Sequence, residues 1–216
     1  MVQSFEIKDD PHGVKYINKY GTENQPEAGV TCENTNHAGR ILKSTKSRKT
    51  GDIIFEEPPL HVVPEQRGHA VWMLLDKLNE EKSLVYETIW YWFALCSLTD
   101  ADIAGQEETF LGMGTISPEQ QHRLLLLFKP DQPCSDAISR ICEALHLNCE
   151  PDKLEGLLEV WVHNCFEHSD SPRAYAVFFY SSFMSHSCKP NAMWHFQDNN
   201  FVLRARRDMQ DGDEIC

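Results

Sequence analysis

Apolar residues change their period twice along this chain. Through roughly the first 25 positions, short apolar alternation is broken by Asp9-Asp10-Pro11, Gly13 and Gly21, the composition of short strands joined by turns. From Gly29 to Leu60 the alternation sharpens. Val30 to Cys32 reads as strand, Asn34 to Gly39 as loop and Arg40 to Lys43 as a second strand. The turn Lys49-Thr50-Gly51-Asp52 then feeds Ile53-Ile54-Phe55, which Pro58-Pro59 halts. After Val63 the period lengthens, so that Val71, Leu74, Leu75 and Leu78 share one helical face, and an aromatic-rich helix follows over Leu84 to Leu98. Ser117-Pro118-Glu119-Gln120 opens a further helix with an N-cap serine, a proline in the first turn and a glutamine three residues after the cap. Two more helices are predicted over Ser135 to Leu147 and Pro151 to Phe166, and Asp100 to Gly114 reads as a flexible loop. From Tyr175 the pattern turns β-prone again: Tyr-Ala-Val-Phe-Phe-Tyr, then Ala192 to Phe196 and Phe201 to Ala205 joined by Gln-Asp-Asn-Asn.

The order is thus β, a long helical block, then β. Neither β half has enough strands to close a core alone, so the two must pack together with the helices as an insertion, an α+β arrangement. At 216 residues, 41% of them hydrophobic, the chain can bury a sizeable core. Its formal charge of −13 repels a phosphate backbone, which argues against direct nucleic-acid binding and favours basic partners. The eight cysteines are irregularly spaced, with no signal peptide and no apolar run long enough to span a bilayer; they read as reduced thiols of an intracellular protein, away from membranes.

The most informative run is Ser185-His186-Ser187-Cys188-Lys189-Pro190-Asn191, which combines an imidazole, a thiol, a proline-forced turn and an amide just ahead of a β-hairpin. Taken alone it is equally a capped turn in which Asn191 satisfies backbone and His186 is a core histidine. Together with Gly39-Arg40, Gly51-Asp52-Ile53-Ile54-Phe55-Glu56-Glu57-Pro58 and the ending Arg204 to Ile215, however, it resembles a SET domain, the fold of protein lysine methyltransferases. The split by helices is most similar to the SET and MYND family, and His163-Asn164-Cys165-Phe166 resembles the short element that family places after its insertion. Three departures stand out. Gly39-Arg40-Ile41 replaces Gly-Arg-Gly, Ser185-His186 replaces Asn-His, and no MYND zinc module is present. The sequence also stops at Cys216, before the position of the family's active-site tyrosine and its downstream cysteines.

The resemblance implies a SET-type β-clip of short strands in two halves: 1–27 as N-terminal strands and turns, 28–62 and 169–216 as SET halves, and 63–168 as the helical insertion. It implies S-adenosylmethionine as cofactor and a basic protein or peptide, such as a histone tail, as substrate, in the nucleus or cytoplasm. Gly39, Arg40, Asn164, Ser185 and His186 would contact the cofactor. Phe178, Phe179 and Tyr180 would line the lysine channel, with Tyr180, the one hydroxyl-bearing member, as candidate catalytic residue. Cys188 would hold zinc only with cysteines beyond Cys216. Blander readings stand beside these. Asn164 can be a helix cap. Cys134, Cys142, His146 and Cys149 suggest a metal, with His146 four residues after Cys142, but Ile138, Cys142, Leu145 and Cys149 also form an apolar stripe. The tryptophans Trp72, Trp90, Trp92 and Trp161 fall at core spacings. A SET fold that binds protein without methyl transfer, and a zinc-organised interaction protein, are the alternatives.

Overall fold

The computed structural model describes Asp10 and residues 12–216. In chain order its elements are α1 (Val14–Asn24), β1 (Val30–Thr35), β2 (Gly39–Ser44), β3 (Ile53–Glu57), β4 (His61–Pro64), α2 (Ala70–Glu80), α3 (Thr88–Leu95), α4 (Pro118–Leu125), α5 (Asp136–Ala144), α6 (Pro151–Asn164), β5 (Cys165–Asp170), β6 (Arg173–Val177), a 3-10 turn (Ser181–Phe183), β7 (Ala192–Gln197) and β8 (Asn200–Ala205). The fold is α+β. It divides into two compact units, one of residues 1–59 and 178–216, the other of Leu60–Val177.

In the first unit β1 pairs antiparallel with β2, and β3-β8-β7 form a second antiparallel sheet. Residues 209–215 run back along the β2 segment. Ile215 N donates to Leu42 O at 2.8 Å, Ser44 N to Asp213 O at 2.9 Å, and Arg48 and Met209 exchange backbone bonds at 2.9 and 3.0 Å. The buried Arg48 guanidinium feels the Asp52 carboxylate through space but makes no ion pair among the described residues. It donates instead to the carbonyls of Ala28 and Gly29 and, through Nε at 3.1 Å, to the Ser44 hydroxyl. The core is built from Ile17, Leu42, Phe55, Phe178, Phe201 and Ile215, all essentially inaccessible.

The strands expected before residue 25 are corrected to a helix over their described part, residues 1–9 and 11 lying outside the described residues. Ile17, Tyr20 and Gly21 stand three and four positions apart, a helical face, and the Asp10 carboxylate accepts from Lys15 N at 2.8 Å and Tyr16 N at 3.2 Å in the first turn. Gly21 is therefore a point of close packing within a helix and forms no turn. β1 also runs on to Thr35 through residues expected in a loop.

The second unit contains α2 to α6 and the antiparallel sheet β4-β6-β5. Trp92, Phe93, Leu157, Leu158 and Trp161 are its fully buried centre, with the Phe93 and Trp161 rings 4.9 Å apart. α4 opens with the expected capping box: Ser117 Oγ accepts from Gln120 N and Gln120 Oε1 from Ser117 N, each at 3.1 Å. α6 stops at Asn164 and the chain continues as β5, where a helix was expected through Phe166. Strand pairing with β6 decides that boundary, and β4 likewise owes its strand to β6. The segment Asp100 to Gly114 is a chain of hydrogen-bonded turns, tied down by Asp102, where a loose loop was expected. That buried carboxylate accepts from Thr99 N (3.0 Å), Thr99 Oγ1 (2.8 Å), Gln121 Nε2 (2.8 Å) and Lys153 Nζ (2.7 Å).

Candidate functional site

The turn Ser185 to Asn191 is fixed from its far end. Asn191 is 5% exposed; its Nδ2 donates to Glu214 O at 2.6 Å, its Oδ1 accepts from Cys216 N at 2.9 Å, and its backbone N donates to Cys216 O at 2.9 Å. The asparagine is thus spent entirely on stapling residues 214–216 to the start of β7. Ser187 Oγ accepts from Lys189 N at 3.1 Å and tightens the middle of the turn. His186 and Cys188 stay exposed, their Nε2 and Sγ 3.8 Å apart, and Ser185 is half-buried.

A carboxylate sets the preceding turn. The apolar strand β6 ends at Val177, and Phe178 to Tyr180 leave it because Glu57 captures the backbone that follows. Glu57 is 0% exposed; its oxygens accept from Tyr180 N at 2.6 Å, Ser181 N at 2.9 Å and Ser181 Oγ at 2.9 Å. Burial pushes its pKa up, and those donors pull it back by favouring the charged form. A glutamate on a short strand would ordinarily face water. Here a bulge between Ile53 and Phe55 shifts the alternation of β3 and turns Glu57 inward beside Phe55. No sequence signal marks that bulge, and Glu57 is the functional-site residue that motif reading passes over.

Phe178, Phe179 and Tyr180 are all 0% exposed. Phe179 packs edge-on against Phe183 at 5.2 Å and Tyr20 at 4.8 Å. Tyr180 donates its hydroxyl to Val30 O at 3.1 Å. Burial, with Cys32 and Glu57 nearby, holds that phenol well above its ordinary pKa, so Tyr180 is a neutral donor here and a poor base.

Gly39 opens β2 with φ 64°, and a Cβ there would meet no protein atom within 4 Å. Glycine is required by the left-handed backbone, and the space beside it is open. Arg40 is half-buried; its guanidinium lies 4.9 Å from the Phe183 ring centroid and Nη1 donates to His12 O at 3.3 Å. Burial lowers its pKa, opposed by Cys32 and Asp10. The Arg40–Phe183 contact brings together two segments far apart in sequence, the Gly39-Arg40 strand start and the turn leading to Ser185-His186. The open backbone at Gly39 thus lies next to a planar cation that rests on an aromatic face.

Asn164 belongs to the second unit. It is 8% exposed, and its Nδ2 donates to Phe128 O at 2.8 Å and Val160 O at 2.9 Å. Its amide nitrogen is therefore used in tying the end of α6 to the α4–α5 connection, within the second unit. The suggested Cys142–His146 face does not form, because α5 ends at Ala144 and His146 adopts φ 49°. The neighbouring Cys149 thiol and burial instead push the Cys142 thiol up in pKa. Among the described residues no group of three or more His, Cys, Asp and Glu side chains could hold a metal ion, and no helix is long and apolar enough to cross a membrane. Trp72, Trp92 and Trp161 are buried among their neighbours.

The SET domain model matches residues 39–216, from the Gly39 strand start through the Asn191 staple. The chain belongs to the SET domain family. Among solved structures, the crystal structure of the SET domain of LSMT bound to lysine and AdoHcy is similar, at 13% identity and a TM-score of 0.46, covering 94% of this chain. This SET chain spans 52% of that structure's length. No curated relative matches it.

Proposed function

We propose that this SET protein transfers methyl groups from S-adenosylmethionine to lysine side chains of a basic protein, a histone tail being one candidate. The carrying observation is the Arg40–Phe183 contact, which joins two segments of the family match around an open glycine backbone. Arg40 would hold the cofactor's carboxylate, Gly39 would admit its backbone contacts, and Ser185 and His186 would meet it from the opposite segment. The cofactor supplies a methyl on a sulfonium, so the protein needs no covalent intermediate. What the residues must do is align the acceptor amine and exclude water. A lysine of ordinary pKa ~10.4 becomes a nucleophile near neutrality when it is desolvated beside a cation. Phe178, Phe179 and Tyr180 would form the acceptor's aromatic lining, and the −13 charge would attract a Lys/Arg-rich partner, met in the nucleus or the cytoplasm. The long insertion between the SET halves suggests kinship with the SET and MYND group.

A second reading, a SET-fold binding module without transfer, draws support from the Tyr180 hydroxyl, already committed to Val30 O. Calorimetry with S-adenosylmethionine, paired with labelled methyl transfer to mixed core histones, separates the two. The enzyme reading expects cofactor heat, methyl incorporation and at least about tenfold weaker cofactor binding in Arg40→Ala. Heat without incorporation supports the binding module, and absence of both overturns the cofactor site.

A further inference from the structure

Helix α1 lies outside the matched SET residues, yet it covers the aromatic cluster assigned above to the acceptor. Tyr16 and Tyr20 set their rings 6.1 and 4.8 Å from Phe179, Tyr20 also lies 6.2 Å from Tyr180, and Gly21 approaches the Tyr180 hydroxyl so closely that a Cβ would sit 2.6 Å from it. Phe179 and Tyr180 are consequently sealed from water. Besides burying Ile17 in the core, the helix and its flanks are tied to the rest of the unit by hydrogen bonds. Asn18 forms a two-way clasp on the β1 backbone, accepting from Cys32 N at 2.7 Å and donating to Cys32 O at 2.9 Å; His12 O receives Arg40; and Gln25 donates to Glu56 O.

We infer that α1 is a detachable cover over the acceptor channel, closed in this structure by the Asn18 clasp and the Tyr16 and Tyr20 rings. The inference rests on the proposed function. If Phe179 and Tyr180 line the path of a lysine side chain, no acceptor can reach them until α1 moves. Because the covering element lies outside the family match, it is a place where access can be set by this chain's own sequence.

The native thiol of Cys32 reports the opening. It is 1% exposed beside the clasp, and burial pushes its pKa up to about 11, so both access and thiolate formation are suppressed while the cover is closed. Alkylation with N-ethylmaleimide at pH 8, mapped by mass spectrometry, is compared in wild type, Asn18→Ala and Tyr20→Ala, with the buried Cys96 thiol and the exchange protection of β8 amides as controls for general unfolding. The expected result is at least about tenfold faster Cys32 alkylation in Asn18→Ala, unchanged controls, unchanged binding of S-adenosylhomocysteine, and a lower KM for core histones in both variants. Cys32 protection that survives both substitutions overturns the cover, as does faster alkylation with an unchanged or higher KM. Absence of cofactor heat in the wild type removes the proposed function and the inference with it, an outcome recognisable because it does not depend on Cys32.

Discussion

The Glu57 carboxylate is a demanding test of how the turn before Ser185 is held. Replacing it with alanine strands three buried donors, Tyr180 N, Ser181 N and Ser181 Oγ, in an enclosure that admits no water to Glu57 itself. An unsatisfied buried donor costs about 1–3 kcal/mol, so Glu57→Ala should lose roughly 2–6 kcal/mol from the two backbone donors left once the hydroxyl of Ser181 finds another partner. Glu57→Gln keeps one acceptor but turns an NH2 toward a donor, and should lose about 2–3 kcal/mol. Because the chain contains two compact units, a single midpoint for the whole protein would mix them. Urea dependence of amide exchange in β3 and β8, read by mass spectrometry, reports the first unit by itself. The order Ala worse than Gln worse than wild type is expected. A loss under about 1 kcal/mol in Glu57→Ala would refute the argument that this carboxylate, and not local sequence, ends β6 and shapes the turn.

Three further outcomes follow from the geometry. Burial lowers the His61 pKa from 6.5 to about 4, while its Nε2 lies 3.0 Å from Cys96 O. The folded state thus takes up fewer protons than the unfolded chain, and the second unit should lose up to about 3 kcal/mol as pH falls from 6.5 to 4, a slope that His61→Gln should flatten in pH-dependent denaturation. Gly21→Ala should cost about 1–3 kcal/mol despite better helix propensity, because its Cβ meets the Tyr180 hydroxyl, and Tyr180→Phe should recover part of that loss in a double-mutant cycle on thermal stability. Asp102 is buried, which alone would raise its pKa, but Lys153, Thr99 and Gln121 hold it below the ordinary carboxylate value. Its stabilisation is therefore present above that ordinary value and lost as pH falls through the lower folded one. Asp102→Ala should cost about 3–5 kcal/mol and free the 100–114 turns to faster exchange.

Much of this was legible in the sequence because it is local. The Ser117 capping box, the Asp198-Asn199 hairpin turn and the apolar faces of α2 and α5 follow from neighbours within a few positions. The SET motifs were legible as strings, and Asn191 as a turn residue. The failures share one cause, long-range pairing. β5 is a strand because β6 lies beside it, and Glu57 turns inward because of a bulge against β8. α1 hid behind Gly13 and Gly21, punctuation marks for a turn in a sequence window, whereas one precedes the helix and the other makes room for a tyrosine 159 positions later, through the same ring that bonds Val30 across 150. The same distance explains why Tyr180 could be read from sequence as the hydroxyl-bearing member of its aromatic run while the direction of its hydroxyl could not.

The stapling of residues 209–216 onto β2 and Asn191 also orders the events of folding. The second unit is continuous in the chain, Leu60 to Val177, and can organise as soon as those residues exist. The first unit cannot. β3 waits for β8, Val30 waits for Tyr180, and Leu42 waits for Ile215, and each of these emerges from the ribosome with that partner still more than a hundred residues away. Slow closure of such distant pairs leaves β1 to β3 exposed in the meantime. During synthesis α1 and the β1–β2 hairpin are the pieces of that unit whose own bonds are local and can form early, while the second unit is complete before residues 178–216 exist.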